Sequence, residues 1–255
     1  MSSPRECIVL RTPTIEMNMQ IILAVLCLAL LMWVEPATAQ KTYSVSVSVH
    51  RSLPELTADQ VKKFLADASK MLQKDSSHAE TDNDAKCNVT FELKGALTIF
   101  GSDDTPAFVS RSDLDALHRV RPGADADFHV KVVNKIVNFC RFPNLTGFNG
   151  CAFPPNFRSI IVVHPELHID RLGRPLETFP DHRLWAHEFG HLTGLGHRDD
   201  LRALMTSCPL NEQFSEFPDD AQVQVTRQEC NCLQWGPGFG PNGACAMPGP
   251  TVCSR

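Results

Sequence analysis

The segment HEFGHLTGLGH, residues 187–197, constrains the fold of this chain more than any other stretch of its sequence. Asp181 lies ahead of it as a predicted helix N-cap, and Gly194 lies near its end, where glycine commonly stops a helix. Residues 181–196 also carry the apolar side chains of a buried helix face, namely Leu184, Trp185, Phe189, Leu192 and Leu195. The pattern therefore predicts an α-helix that begins near Asp181 and ends at Gly194.

Three histidines of this segment, His187, His191 and His197, form a candidate metal site. Residues four apart on a helix lie on one face, so His187 and His191 can reach a single ion. His197 becomes the third ligand if the chain folds back after the helix, and Gly194 permits that turn because glycine adopts the left-handed conformation. Zinc favours neutral imidazoles, and a catalytic zinc site keeps three protein ligands with water in the fourth place. Glu188 can approach that open position without binding the metal.

The spacing H-E-x-x-H-x-x-G-x-x-H, followed by ALMTS at residues 203–207, resembles the zinc signature and Met-turn of the metzincin metallopeptidases. Met205 lies eight residues beyond His197, an interval most similar to that of the matrix metalloproteinases. The resemblance implies that Met205 forms an apolar floor under the three imidazoles. Astacin-like and serralysin-like members have a tyrosine two residues after the methionine, whereas this chain has Ser207 there and its one tyrosine at Tyr43. The subfamily therefore stays open.

This resemblance implies a zinc-dependent endopeptidase with one catalytic Zn²⁺ held by the three histidines, and the predicted signal peptide described below implies that it is secreted. Glu188 would act as the general base on a water that the metal activates. The substrate would be a protein or peptide bound in extended conformation along an edge strand, for which Lys135–Pro155 is the candidate region. We expect the enzyme to be a monomer. One alternative is a non-catalytic zinc-binding secreted interaction protein on the same fold, which would predict a lost glutamate, and another is a secreted module whose tail binds a partner.

Strand and helix patterns precede the histidine segment. TYSVSVSVH alternates with the period of a strand that has one buried face, and LTADQVKKFLADASKML pairs a capping box at Thr57 and Gln60 with an amphipathic helix. Further strands are indicated by NVTFELKGALTIF, by DFHVKVVNKIVNF and by IIVV, which suits a strand covered on both faces. We predict an α+β, metzincin-like fold, whose α/β-like upper subdomain, to about residue 194, is a mixed twisted sheet with a long backing helix and the histidine helix. A small, irregular, disulfide-stapled lower subdomain would follow.

The N-terminal 39 residues are predicted to be a signal peptide. Arg5 and Arg11 precede the apolar run Ile21–Val34, and Ala37 and Ala39 follow at A-x-A spacing. The run has fourteen residues, fewer than the roughly twenty that a membrane-spanning helix needs. We therefore expect cleavage near Ala39 and a secreted or periplasmic protein without a stable membrane anchor.

Cysteine usage agrees with export. Of the ten cysteines, eight lie beyond residue 39, and an even number in an exported chain predicts disulfides. On the order of 100 connectivities are possible, and we favour Cys140–Cys151, which brackets the loop CRFPNLTGFNGC. No pair has the C-x-x-C spacing of cysteine zinc sites. The catalytic domain is predicted to span residues 40–229, with a Cys/Gly/Pro-rich tail at 230–255.

Other function classes find little support in the sequence. The formal net charge is −5 and no long basic run occurs, so the footprint of a nucleic-acid-binding protein is missing. The acidic segments SDDTP and FPDD could attract calcium, but such loops are usually only solvated. His164, His168 and Asp170 match no strong metal signature. Calcium and a second metal ion therefore stay possible but unsupported by the sequence, and we commit to neither.

Overall fold

The structure, a computed structural model, describes residues 40–101, 108–110, 113, 117, 125–136, 149–152, 158–168, 180–198, 200, 202–206, 219–238 and 245, with Phe108 described by its backbone. The predicted signal peptide, Cys140, Asp170, Ser207 and the segment SDDTP lie outside the described residues.

A six-stranded sheet is built around strand β1, Lys41–His50. On one side β1 pairs in parallel with β2, Val89–Leu93, and then with β3, Thr98–Phe100. On the other side it pairs in parallel with β5, Phe128–Val133. Strand β1 is therefore hydrogen-bonded to neighbouring strands along both of its edges.

The remaining strands complete a mixed sheet, as predicted. Strand β8, Ser159–Val163, lies parallel to β5, and the edge strand β7, Gly150–Ala152, lies antiparallel to β8. A separate two-stranded sheet pairs β4, Phe108–Val109, with β6, Lys135–Ile136. All five residues of β8 are buried, which confirms the prediction for IIVV.

The prediction that β1 buries only one face is wrong. Val45, Val47 and Val49 lie in the main core, and Ser46 and Ser48 on the opposite face are buried as well. Parallel sheets are normally covered on both faces, so alternation of valine and serine does not mark an exposed side here. The serine hydroxyls find partners instead of water, as the hydrogen bond between Ser46 Oγ and the His129 ring shows.

The first helix, α1, spans Ala58–Gln73 and has the predicted capping box. Thr57 Oγ1 accepts a hydrogen bond from the Gln60 backbone N–H at 3.2 Å, and Gln60 Oε1 accepts one from Thr57 N–H at 2.8 Å. The helix buries an apolar stripe in the core, formed by Val61, Leu65, Ala68, Met71 and Leu72. This stripe covers the face of the sheet that carries the β1 valines.

Two further helices, α2 at Asp181–Leu192 and α3 at Arg227–Trp235, pack into the same core. The composition of the tail predicts irregular structure for residues 230–235, but these residues are helical. Helix α3 begins with a second capping box, between Thr226 and Glu229, and the run of glycine and proline starts only at Gly236. Composition averaged over the whole tail therefore concealed a helix.

Disulfides are present, as predicted. Cys87 is bonded to Cys230 and Cys232 to Cys245, so both bonds attach α3 to other parts of the chain. The pairing favoured from the sequence, Cys140–Cys151, cannot be assessed because Cys140 lies outside the described residues. Within the described part of the chain, no helix is long and apolar enough to cross a bilayer.

Candidate metal centre

Helix α2 places the first two histidines of the motif. Its buried face is formed by Trp185, Ala186, Phe189 and Leu192, which pack in the core. Asp181 is the first helical residue and not the predicted N-cap. That position is held by Pro180, and no described side chain caps the helix. The Asp181 carboxyl instead lies 3.6 Å from His168 Nε2.

The chain turns at Gly194 as the sequence predicts. Gly194 has φ of 94°, in the left-handed region. Its N–H donates to the His191 carbonyl at 3.0 Å, and the Leu195 N–H donates to the Gly190 carbonyl at 3.1 Å. This pair of bonds is the Schellman arrangement that closes a helix C-terminus. The turn returns His197 to the helix face that carries the other two histidines.

The three imidazoles converge on one point. The Nε2 atom of His191 lies 3.1 Å from Nε2 of His187 and 3.0 Å from Nε2 of His197. Among the described residues, these three side chains form the one group of His, Cys, Asp or Glu whose candidate ligand atoms all lie within 4.8 Å of one another. Nitrogen atoms this close direct their lone pairs at a shared volume, which a cation would fill.

Ring hydrogen bonds fix the tautomer of two of the histidines. His187 Nδ1 donates to the Leu204 carbonyl at 2.7 Å, and His191 Nδ1 donates to the Leu195 carbonyl at 2.8 Å. With Nδ1 protonated, each Nε2 keeps its lone pair for a metal. The donor set therefore fits zinc, which takes neutral imidazole ligands.

The electrostatic environment keeps all three imidazoles neutral. Burial, followed by the neighbouring His191 and His197, places the pKa of His187 well below its ordinary value. Burial also lowers the pKa of His191, and burial together with His191 lowers the pKa of His197 to about 4. Neutral rings are the protonation state that metal binding requires.

Glu188 lies next to the first histidine on α2 and is 4% exposed. It lies outside the group of three converging ligand atoms. Gly150 of the edge strand packs directly on it, since a Cβ built on Gly150 would lie 2.6 Å from Glu188 Oε1 and 2.7 Å from Leu184 Cδ1. The carboxylate is thus confined between α2 and β7. This contact involves no sequence motif and was not foreseen.

Met205 is fully buried and packs against α2 at Gly190, because a Cβ on Gly190 would collide with the Met205 sulfur. The residue before it, Leu204, supplies the carbonyl that orients His187, and its own N–H donates to the Gln224 carbonyl at 2.9 Å. The segment around Met205 therefore supports the site through packing on α2 and through a hydrogen bond to His187.

The described residues of the other candidate sites make ordinary structural contacts. Of the segment FPDD, Asp220 accepts hydrogen bonds from His182 at 2.8 Å and from Arg183 at 2.7 Å, which ties it to α2. His164 and His168 are buried at the end of β8, and no second group of three metal-ligating side chains occurs among the described residues.

No protein-family model and no curated protein matches this sequence. Among solved structures, the chain is similar to a zinc-dependent peptidase from Methanocorpusculum labreanum, with a TM-score of 0.39, 17% identity, and coverage of 74% of this chain and 99% of that one. It is also similar to a mutant of promirolysin from Tannerella forsythia, with a TM-score of 0.45, 11% identity, and coverage of 87% of this chain and 88% of that one. Because both TM-scores are low, the function proposed below rests on side-chain geometry.

Proposed function

We propose that this chain is a secreted zinc-dependent endopeptidase. The observation that carries the proposal is the convergence of three imidazoles on one point, with the buried carboxylate of Glu188 next to His187 in helix α2. A structural zinc site closes all four ligand positions with protein, whereas three histidines leave one position open, as a catalytic site does. The resemblance of the motif to metzincin metallopeptidases agrees with this reading.

The roles of the residues follow from this arrangement. His187, His191 and His197 would hold the metal. A zinc ion held there would supply polarisation of water and of a peptide carbonyl and would bring the pKa of the water to about 7. Glu188 accepts the proton of the attacking water and passes it to the leaving amine, which is general base and then general acid catalysis. The chemistry needs no covalent intermediate on the protein.

We assign the peptide substrate to the edge of β7, which lies within the region Lys135–Pro155 suggested by the sequence. In the described sheet β7 is the strand after β8 at one end, and an extended peptide can add there as a further strand. Gly150 of this strand touches Glu188, so a peptide paired with β7 would pass close to the general base.

We also assign residues 1–39 to a signal peptide and the mature protein to an extracellular or periplasmic location. The disulfides Cys87–Cys230 and Cys232–Cys245 support an oxidising compartment. N-terminal sequencing of the protein recovered from the medium of a secreting host tests this assignment, and retention of Met1 would refute cleavage near Ala39.

The decisive experiment is hydrolysis of a mixed-sequence peptide library by wild-type protein and by Glu188→Gln, with zinc content measured in both. We expect both proteins to hold about one zinc. Removal of the general base should lower turnover by about 100-fold or more. The His191→Ala protein should lose both zinc and activity.

Glu92→Gln, an exposed substitution of the same type on β2, serves as the matched control and should behave like wild type. A fully active Glu188→Gln protein would refute the role of Glu188. If wild-type protein binds zinc and cleaves nothing in the library, the non-catalytic zinc-binding alternative becomes the better explanation.

A further inference from the structure

We infer that Arg198, the residue after the third histidine, is a positioning residue that holds His197 in place through an ion pair with Glu229 of helix α3. The inference rests on the zinc site proposed above and adds to it the elements that keep its third ligand in place.

The three ligands are not supported in the same way. His187 and His191 each donate a ring N–H to a backbone carbonyl, at 2.7 and 2.8 Å. Within the described part of the chain, the His197 ring makes no such bond to a carbonyl or carboxylate. His197 also lies outside α2, beyond the turn at Gly194. Its orientation therefore depends on how its main chain is anchored.

Arg198 provides that anchor with both its backbone and its side chain. Its N–H donates to the Met205 carbonyl at 2.7 Å, which ties the residue after the third ligand to the segment that also orients His187. Its guanidinium reaches in two directions, with Nη1 at 3.1 Å from Glu229 Oε2 and Nη2 at 3.2 Å from Asp200 Oδ2. A planar guanidinium can bridge two carboxylates in fixed geometry, which a lysine ammonium does less well.

Glu229 is a rigid partner for this contact. It is 2% exposed, and its Oε2 atom also accepts the Thr226 backbone N–H at 2.7 Å as part of the capping box of α3. The next residue, Cys230, is bonded to Cys87, so α3 is covalently attached near the start of β2. A buried carboxylate needs a charged partner, so Glu229 and Arg198 fix each other.

The test measures metal affinity and geometry in the full-length protein, without reference to peptide cleavage. Arg198→Lys keeps the positive charge beside Glu229 but cannot bridge both carboxylates. We expect its zinc Kd, measured by chelator competition, to rise about tenfold, in the range seen when outer-shell partners of metal ligands are changed. The visible absorption of the Co²⁺-substituted protein should change as well, because the geometry around the metal changes.

Arg227→Lys is the matched control. Arg227 lies on helix α3, as Glu229 does, and its side chain pairs with Asp82 at 3.2 Å. Because both of these side chains are largely exposed, the zinc affinity and the cobalt spectrum of Arg227→Lys should match those of the wild type. Glu229→Gln is a second probe, since it removes the charge that Arg198 binds and keeps an oxygen for Thr226. It should weaken zinc binding as Arg198→Lys does.

The outcomes are separable. A lower melting temperature with unchanged zinc Kd and an unchanged cobalt spectrum in Arg198→Lys would show a merely structural ion pair and overturn the inference, while the zinc site itself stood. Wild-type protein that binds no zinc would overturn the proposed function, and this inference with it. Weaker zinc binding by the two variants, with a normal Arg227→Lys control, would support the inference and the zinc site on which it rests.

Discussion

The small size of Gly150 leaves room for the Glu188 carboxylate. Because a Cβ there would lie 2.6 Å from Glu188 Oε1, Gly150→Ala must displace either the carboxylate or the edge strand. A displacement of about 1 Å in a catalytic group can cost about 100-fold in rate. We expect Gly150→Ala to lower kcat/KM by about 10- to 100-fold with zinc content unchanged.

Peptide hydrolysis and zinc content, measured on the same protein sample, check this prediction. Both should be accompanied by a thermal melt, because a strand that was pushed away would also lower the melting temperature. Wild-type kcat/KM in a folded Gly150→Ala protein would show that the carboxylate has room to move and does not depend on this contact.

Asp181 should make stability depend on pH in an unusual direction. Burial raises its pKa from the ordinary 3.8 to about 7, beside His168, whose pKa burial lowers to about 4. The folded protein then holds the Asp181 proton where the unfolded chain has released it, so this contribution to stability is complete below pH 3.8 and is lost as pH rises through 7. Relative to Asp181→Asn, wild-type protein should lose about 4 kcal/mol at most over this window.

Urea unfolding of both metal-free proteins at several pH values between 4 and 8 measures this difference directly. The contribution of Asp220 to stability changes with pH in the opposite direction. Although burial opposes it, hydrogen bonds from His182 and Arg183 lower the pKa of Asp220 to about 2, so its contribution is present above pH 3.8 and is lost as pH falls towards 2. A difference between wild type and Asp181→Asn that does not change with pH would refute the raised pKa.

Helix α2 shows how packing between elements can override helix propensity. Replacing glycine by alanine inside a helix normally stabilises it by about 1 kcal/mol. At Gly190, however, the new Cβ would collide with the sulfur of Met205, which is fully buried and cannot move into solvent. Overpacking of this kind costs about 1–3 kcal/mol, so we expect Gly190→Ala to lower the free energy of unfolding.

Urea unfolding of Gly190→Ala, Met205→Ala and the double variant measures the loss of stability caused by each substitution alone and by the two together. Because shortening Met205 removes the obstacle, the double variant should lose less stability than the two single losses combined. Strict additivity would show that the two residues do not compete for the same space.

The elements that could be predicted from the sequence are those with local patterns. The capping box at Thr57 marks α1, and the spacing of His187, His191 and Gly194 marks α2 and its turn, because each signal lies within a few residues. The burial of Ser46 and the contact between Gly150 and Glu188 could not be read in this way. Both depend on which strands become neighbours, and no local pattern specifies that.

Contacts between the two ends of the described chain are the least visible in the sequence. The Tyr43 hydroxyl donates to the backbone carbonyls of Leu233 and Gln234, each at 2.8 Å, which joins β1 to α3. Residue spacing gives no indication of a partner 190 positions away. The same holds for the disulfide Cys87–Cys230, one of many pairings that the cysteine count allowed.

This long-range disulfide should stabilise the molecule more than the local one. It closes a separation of 143 residues, whereas Cys232–Cys245 closes 13. On the loop-entropy estimate the two are worth about 5 and about 3 kcal/mol respectively. All four cysteines are buried to a similar degree. The free-energy cost of the cavities left by alanine should therefore be similar in the two double variants and largely cancel when they are compared. We therefore expect Cys87→Ala/Cys230→Ala to unfold at a lower urea concentration than Cys232→Ala/Cys245→Ala. The reverse order would mean that α3 is held by its own packing and by the local bond, and that its link to β2 contributes little.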